Sequence, residues 1–164
     1  MARTITDLLD FAVVGEGSPA TRVDLDGVVA DVLDDLGPGL LDAKIEAGPL
    51  PAVLGHESEV RAVLQNLIAN AVKFSAPSGV AQVRISGEVN DGTALITVAD
   101  NGPGVPEEQR QQVFGLAFRG ESTVDGHGIG LATCARIISA RGGRIGVDQV
   151  PSGGAAFWFE LPVG

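Results

Sequence analysis

Two asparagines and a lysine share one side of a predicted helix. Asn66, Asn70 and Lys73 are spaced four and three residues apart, so at about 100° per residue they lie within roughly 60° of each other. Amide oxygens can complete the octahedral shell of Mg²⁺, and an ammonium group meets phosphate as a point charge. This polar ridge (Asn66, Asn70 and Lys73) predicts a site for a metal-bound polyphosphate, and the alternative is a solvated helix face.

A carboxylate follows a strand of continuous apolar character. Asp100 opens the segment Asp100-Asn101-Gly102-Pro103-Gly104, whose residue types are those of ordinary turns. A carboxylate at a strand end can also accept a hydrogen bond from an exocyclic amine, and glycines allow a flat ring to approach the backbone. The sequence alone is compatible with both a simple turn and a pocket for a nucleobase.

A glycine-rich segment leads directly into another predicted helix. In Gly126-His127-Gly128-Ile129-Gly130-Leu131 the glycines can present free N–H groups and the positive end of a helix dipole to an anion. The chain has no Gly-Lys-Ser/Thr, which excludes a P-loop, and the polar residues before Gly126 exclude the strand that a dinucleotide fingerprint requires. A phosphate cradle and a flexible loop that starts a helix are the alternatives.

Composition excludes several classes of partner. The 164 residues include 11 Lys and Arg against 21 Asp and Glu, a formal charge of -10. A field of that sign repels nucleic acid and anionic membranes. The single cysteine excludes an internal disulfide and fits a reducing, cytoplasmic compartment. The longest apolar runs fall short of the ~18 residues of a membrane span.

Apolar periodicity and turn signals predict one mixed domain. Because helices and sequential hairpins alternate along the chain, we expect an α+β two-layer sandwich with a mixed, mostly antiparallel sheet covered on one face by about three helices. The predicted helices start at Leu25 (ending at Gly37-Pro38-Gly39), run from Ser58 to Phe74 and from Gly128 to Arg141, and include a short one after Pro106. The predicted strands are 44–47, 80–89, 94–100, 144–150 and 155–161, with turns at 90–92 and 151–154.

In this order and spacing, the segments resemble the catalytic ATP-binding domain of sensor histidine kinases, a branch of the Bergerat-fold ATPases. Residues 65–74 resemble the N-box of that family, 100–105 its first glycine box and 126–131 its second. Val113-Phe114 and Phe118-Arg119-Gly120 resemble its F-box. The resemblance implies a Bergerat ATP-binding fold over residues 17–164. Residues 1–16 resemble the end of a helix from the dimerisation and phosphoacceptor domain that normally comes before it.

The resemblance also implies a role for individual residues toward ATP and Mg²⁺. Asn70 would be the main metal ligand, supported by Asn66, while Lys73 and Arg119 would contact phosphate. Phe74 would pack against the adenine. Asp100 would accept a hydrogen bond from the adenine amino group, with Gly102, Gly104 and Val105 forming the base pocket. The backbone that would cradle the phosphates is that of Gly126, His127, Gly128, Ile129, Gly130 and Leu131.

Asn66 carries information about mechanism. The hydrolytic members and the anti-sigma kinases of this superfamily typically have Glu at this helical position, where it acts as a general base, and an amide cannot do so. The resemblance therefore implies a protein-histidine kinase that transfers the ATP γ-phosphate to a histidine on a separate domain outside this chain, and indirectly serves a response regulator. The alternatives are a nucleotide-binding regulatory module without phosphotransfer and an anti-sigma-type serine kinase.

Three positions depart from the family pattern. His127 stands where a small hydroxyl residue is usual, and His56 stands where Asp is common. Neither histidine has the helical His-Glu or His-Asp context of a phosphoacceptor, so we expect both to be bystanders. The stretch Ala155-Ala156-Phe157 lacks a Thr that often steadies a water beside the adenine, which predicts reduced affinity or base selectivity.

Overall fold

The structure, a computed structural model, describes residues 20–40, 43–75, 80–102, 104–105, 108, 130–150 and 154–163. Several predictions fall outside these residues: the helix end within residues 1–16, the short helix after Pro106 apart from Glu108, the F-box resemblance and most of the second glycine box. The turn at 151–154 is described only at Gly154.

Three helices and seven strands make up the described part of the chain. A five-stranded sheet has the order β2-β4-β5-β7-β6 and is antiparallel except for the β2–β4 pair, while β1 and β3 form a small antiparallel sheet. This confirms the predicted α+β two-layer architecture. The elements in chain order are β1 (Thr21–Asp24), α1 (Leu25–Leu40), β2 (Lys44–Ala47), β3 (Ala52–Gly55), α2 (Glu57–Ser75), β4 (Gln82–Asn90), β5 (Thr93–Asp100), α3 (Gly130–Ala140), β6 (Arg144–Gln149) and β7 (Ala155–Pro162).

The core lies between the helices and one face of the large sheet. Burial alternates along β5, so that Ala94, Ile96 and Val98 are fully buried and point the same way as Asp100. Helix α2 packs on β4 and β5, and α3 packs on β6 and β7. The helix-facing side of β5 therefore leads from the apolar core directly to a carboxylate at the strand's end.

The hairpin that carries this carboxylate is set by its turn. Asp91 and Gly92 have φ values of 51° and 77°, which is the pair of positive angles that a type I′ turn requires. The turn places Asn90 opposite Thr93 and carries the pairing through to Val83 opposite Asp100. The predicted Asn-Asp-Gly hairpin is confirmed, and its register fixes the position of Asp100 at the open end.

Helix α3 ends as predicted, at a glycine pair. Gly142 has a φ of 78°, and its N–H donates to the Ser139 carbonyl at 3.1 Å. The Gly143 N–H donates to the Ile138 carbonyl at 2.9 Å. These two bonds form a Schellman motif, which turns the chain sharply into β6.

The structure corrects three expectations. Helix α1 continues through the Gly37-Pro38 pair to Leu40. A proline cannot donate to the carbonyl four residues earlier and its ring crowds that carbonyl, but Pro38 lies in the last turn, so the disruption is confined to the end of the helix. Strands β1 and β3 were not predicted, since each is short and is defined by its pairing with the other, a contact between distant segments. Cys134 is a buried core residue as expected, but Trp158 lies on the sheet face away from the helices, where its ring covers Gly146.

Over the described residues, none of the helices is both long enough and apolar enough to cross a membrane.

Candidate functional site

The polar ridge borders the core of helix α2. Asn66 and Asn70 are half-buried and Lys73 is exposed, while the adjacent Leu67 and Ala71 are fully buried. The predicted place at the rim of the core is confirmed for both asparagines. Lys73 lies in the last turn of α2, where a cation is also favoured by the negative end of the helix dipole.

A bond within the helix orients the amide of Asn66. Its Nδ2 donates to the carbonyl oxygen of Ala62, one turn earlier, at 2.8 Å. Because the nitrogen is held against that carbonyl, Oδ1 is directed away from it as an acceptor. The part of the chain that the structure describes holds no cluster of three or more His, Cys, Asp or Glu that could bind a metal. Amide oxygens combined with phosphate oxygens and water suit Mg²⁺, which usually takes few protein ligands.

Asp100 is a buried carboxylate with one oxygen committed to the backbone. The residue is only 6% exposed, and its Oδ1 accepts hydrogen bonds from the N–H groups of Gly102 (2.9 Å) and Ala155 (3.2 Å). Burial raises the pKa of the Asp100 carboxyl, and the two N–H donors offset only part of that rise. Neither of these bonds uses Oδ2, which can therefore accept a hydrogen bond from a ligand.

The backbone around Asp100 requires glycine at two places. Gly104 has a φ of 81°, in the left-handed region that favours glycine, and the neighbouring Val105 packs against the core. At Gly154, an added Cβ would collide with the carbonyl oxygen of Asp100. The close approach of Gly154 brings β7 against the strand end and allows the Ala155 N–H to reach the carboxylate.

Helices α2 and α3 run antiparallel, which places the start of α3 beside the polar ridge. The Cys134 thiol donates to the Val63 carbonyl at 3.8 Å, whereas Arg141, seven residues later in the chain, contacts Glu59. Moving four residues back from Cys134 to Gly130 therefore advances about one turn along α2, to the level of Asn66. The start of α3 at Gly130 therefore faces the same region as the amides.

Asp100 lies at that same end of the sheet. Gly143, just past the C-terminus of α3, packs against the carbonyl of Glu160, whereas the carboxylate is bonded at Ala155, the opposite end of β7. The 11 residues of α3 span ~16 Å, about the length of β7 between Ala155 and Glu160. The start of α3, the amides of α2 and the buried carboxylate of β5 thus converge on one end of the domain.

The remaining candidate residues divide into described and undescribed ones. Gly130 begins α3, and Leu131, its second residue, packs partly against the core. Phe74 lies in the last turn of α2, and its side chain is outside the described residues. Also outside them are Arg119, Gly126, His127, Gly128 and Ile129.

His56 belongs to a cluster at the far end of the helices. Its Nδ1 lies 2.9 Å from Nη2 of Arg141, whose guanidinium donates to both carboxylate oxygens of Glu59 at 2.8 and 2.9 Å. The bond to Glu59 raises the pKa of Arg141. This cluster joins the start of α2 to the end of α3, away from Asp100, and it supports the expectation that His56 is a bystander in the chemistry.

Sequence reasoning missed the contributions of two residues near Asp100. Asn101 bonds across to the start of β4, and Ala155 supplies a backbone donor to the carboxylate. The only local signals were an Asn after the carboxylate and a glycine pair before Ala155. Neither signal indicates which residue is contacted, because both contacts join segments that are distant in the sequence.

Comparison with known proteins identifies the class. The family described as histidine kinase-, DNA gyrase B- and HSP90-like ATPase matches residues 55–164. The adaptive-response sensory kinase SasA of Prochlorococcus marinus is 39% identical over 117 residues, covering 70% of this chain and 30% of that protein. The chain belongs to this ATPase family.

Solved structures narrow the class to one domain type. Full-length ShkA in complex with AMPPNP aligns with a TM-score of 0.81 and 32% identity, covering 96% of this chain and 35% of that one. The mycobacterial sensor histidine kinase MprB aligns with a TM-score of 0.77 and 28% identity, covering 87% of this chain and 97% of that one. The fold is that of the ATP-binding catalytic domain of sensor histidine kinases, and the chain spans about a third of the length of the SasA and ShkA proteins.

Proposed function

We propose that this domain binds Mg-ATP and transfers the γ-phosphate to a histidine on a separate dimerisation and phosphoacceptor domain. The observation that carries the proposal is the convergence of a buried carboxylate, two half-buried amides and a helix N-terminus at one end of a histidine-kinase fold. The AMPPNP bound to ShkA supports a nucleotide as the ligand of this site.

Asp100 would recognise the base. Its Oδ2 accepts a hydrogen bond from the exocyclic amine of adenine, while guanine presents a carbonyl oxygen at the equivalent position and is repelled by an ionised carboxylate. Gly102, Gly104 and Val105 form the wall that admits the flat ring. The two N–H donors on Oδ1 hold the carboxylate in the orientation that this recognition needs.

The polar ridge and the start of α3 would hold the phosphates and the metal. Asn70 supplies the main metal-ligating oxygen, with Oδ1 of Asn66 supporting it or a bound water. Mg²⁺ neutralises phosphate charge when bound. Lys73 and Arg119 contact phosphate oxygens, and the backbone of 126–131 supplies N–H donors at the positive end of a helix dipole.

The chemistry proposed for the site needs no general base from this chain. The acceptor imidazole attacks the γ-phosphorus with a nitrogen lone pair, an N–P bond forms, the bond to the β–γ bridging oxygen breaks, and ADP leaves. Asn66 has an amide that cannot take a proton from water, and its Nδ2 is already bonded to Ala62. This feature supports phosphotransfer over hydrolysis.

The proposed partners of this domain are a phosphoacceptor domain and a response regulator. Residues 1–16 are proposed to end a helix of the dimerisation and phosphoacceptor domain, and residues 17–164 to form the catalytic domain. The phosphorylated histidine would then serve a response regulator, and the kinase domain would work in the cytoplasm. The greater length of the relatives supports the presence of such further domains in proteins of this kind.

Calorimetric titration with ATP tests the site, in the presence and absence of Mg²⁺. Asn70→Ala is expected to weaken Mg-ATP binding at least roughly tenfold, because a metal ligand is lost, and to reduce the effect of Mg²⁺. Arg84→Ala removes an exposed side chain of β4 and its exposed ion pair with Glu46, and it is the matched control. Equal binding by the Asn70 variant and the wild-type domain would contradict the metal assignment.

A supplied dimerisation domain tests the reaction. We expect radiolabelled phosphate to pass from ATP to its histidine and to be stable in base but labile in acid. Nucleotide binding without transfer would favour a regulatory module, and acid-stable label on serine would favour an anti-sigma-type kinase. Label on His56 would contradict its assignment as a bystander.

A further inference from the structure

We infer that Asn101 is a positioning residue that sets the base selectivity of the nucleotide site by holding Asp100 in place. The inference rests on the proposed role of Asp100 in adenine recognition. Asn101 itself is exposed and follows the carboxylate in the sequence, so its effect is exerted through the backbone that it anchors.

The side chain of Asn101 extends the β4–β5 pairing beyond its last backbone step. The antiparallel register ends with Val83 opposite Asp100. Past that point, Oδ1 of Asn101 accepts the N–H of Gln82 at 2.9 Å, and its Nδ2 donates to the carbonyl of Val80 at 3.0 Å. One amide group thus supplies an acceptor and a donor to a neighbouring strand, as a peptide group would.

No close substitute reproduces both bonds. An aspartate at this position keeps the acceptor for the Gln82 N–H but places a second oxygen against the Val80 carbonyl. An alanine loses both bonds. The pairing therefore uses both the oxygen and the nitrogen of the Asn101 amide.

This anchor completes the support of Asp100 on the side of β4. On the side of β7, the carboxylate is held by the Ala155 N–H, and Gly154 packs against the Asp100 carbonyl. The second donor to Oδ1 is the N–H of Gly102, which directly follows Asn101 in the chain. Without the anchor the backbone at Gly102 loses its support from the side of β4, and the Asp100 carboxylate is then held from the side of β7 alone.

Loss of orientation acts differently on the two purine nucleotides. ATP loses part of a directional bond from the adenine amine to the carboxylate, whereas GTP loses part of the repulsion between its carbonyl oxygen and the same carboxylate. Loss of a residue with a general structural role would instead reduce the folded fraction, and it would weaken the binding of both nucleotides by the same factor. The ratio of the two affinities is therefore the informative measurement.

The experiment measures dissociation constants for Mg-ATP and Mg-GTP by calorimetry, well below the melting temperature of each variant. For Asn101→Ala we expect ATP to bind roughly three- to tenfold more weakly and GTP to bind equally well or more tightly. Asn101→Asp is nearly isosteric, and we expect it to lower the ATP preference by at least as much. Asn90→Ala, at the opposite end of the same hairpin, is the matched control and should leave the ratio unchanged.

Each outcome bears on one claim. An unchanged ATP-to-GTP ratio in both Asn101 variants would overturn the inference, even if both nucleotides bound more weakly. If Asp100→Ala abolishes discrimination while the Asn101 variants retain it, the inference fails and the proposed base recognition stands. If Asp100→Ala leaves the ratio intact, the proposed base recognition fails and the inference fails with it. If the wild-type domain binds no ATP, the proposed function itself fails.

Discussion

The most informative single change is Asp100→Asn, because it separates the binding role of this carboxylate from its effect on stability. The variant keeps the shape of the side chain and removes its charge. The amide oxygen takes the place of Oδ1, since it must accept the N–H groups of Gly102 and Ala155. The amide nitrogen then occupies the place of Oδ2 and presents a donor where the adenine amine also presents one.

The expected loss of ATP affinity follows from the bond that disappears. A hydrogen bond to a charged group contributes about 1.5–3 kcal/mol, which corresponds to a weakening of roughly 10- to 150-fold. GTP should bind the variant relatively better, because the new N–H faces the guanine carbonyl. The ratio of the ATP affinity to the GTP affinity is therefore expected to fall by a larger factor than the ATP affinity itself.

Stability is expected to change in the opposite direction. Burial raises the pKa of Asp100 in the folded state, so its ionised form costs free energy on folding. That cost is absent at pH values below the unfolded pKa of about 3.9 and develops as the pH rises through the raised folded pKa. The neutral amide of the variant carries no such cost, so Asp100→Asn should give the more stable domain at pH 7, with the difference shrinking toward acid pH.

Denaturant unfolding from pH 4 to pH 8, without nucleotide, measures this difference, and titration calorimetry measures the affinities. Asp148→Asn, at an exposed carboxylate on β6, is the control for the loss of one acidic side chain. The reasoning would be refuted by an Asp100→Asn domain that is less stable than wild type at pH 7, or by one that keeps full ATP affinity.

Two further predictions concern the packing around the site. Gly154→Ala should destabilise the domain by roughly 1–3 kcal/mol in urea unfolding and weaken ATP binding, because its Cβ collides with the Asp100 backbone. Gly37→Ala, in open space on α1, should be neutral or stabilising, and similar losses in both variants would contradict the steric explanation. A double-mutant cycle on Arg141 and Glu59 should give a coupling energy of about 1–2 kcal/mol, since the pair is bidentate and only 16% and 14% exposed.

The exposed pair of Arg84 and Glu46 is the control for that cycle. Its side chains are 74% and 73% exposed, so its coupling energy should stay below about 0.5 kcal/mol and vanish in high salt. Equal coupling energies in the two pairs would show that burial does not strengthen the contact between α2 and α3.

Local features of the chain were readable without the structure. The spacing of apolar residues predicted α2, and the Asn90-Asp91-Gly92 segment predicted the β4–β5 hairpin, because helix periodicity and the positive φ of a type I′ turn are properties of neighbouring residues. The same locality places Asn66 and Asn70 on one ridge and Asp100 at a strand end.

The surroundings of those residues depended on contacts between distant segments. Asn101 finds its partners 19 and 21 positions away, and Asp100 finds the Ala155 N–H 55 positions away. Such pairings follow from the order of strands in the sheet, and no local pattern encodes them. The residue types therefore indicated a nucleotide site, while the packing of β7 and β4 around Asp100 determined which oxygen binds the backbone and which can receive the base.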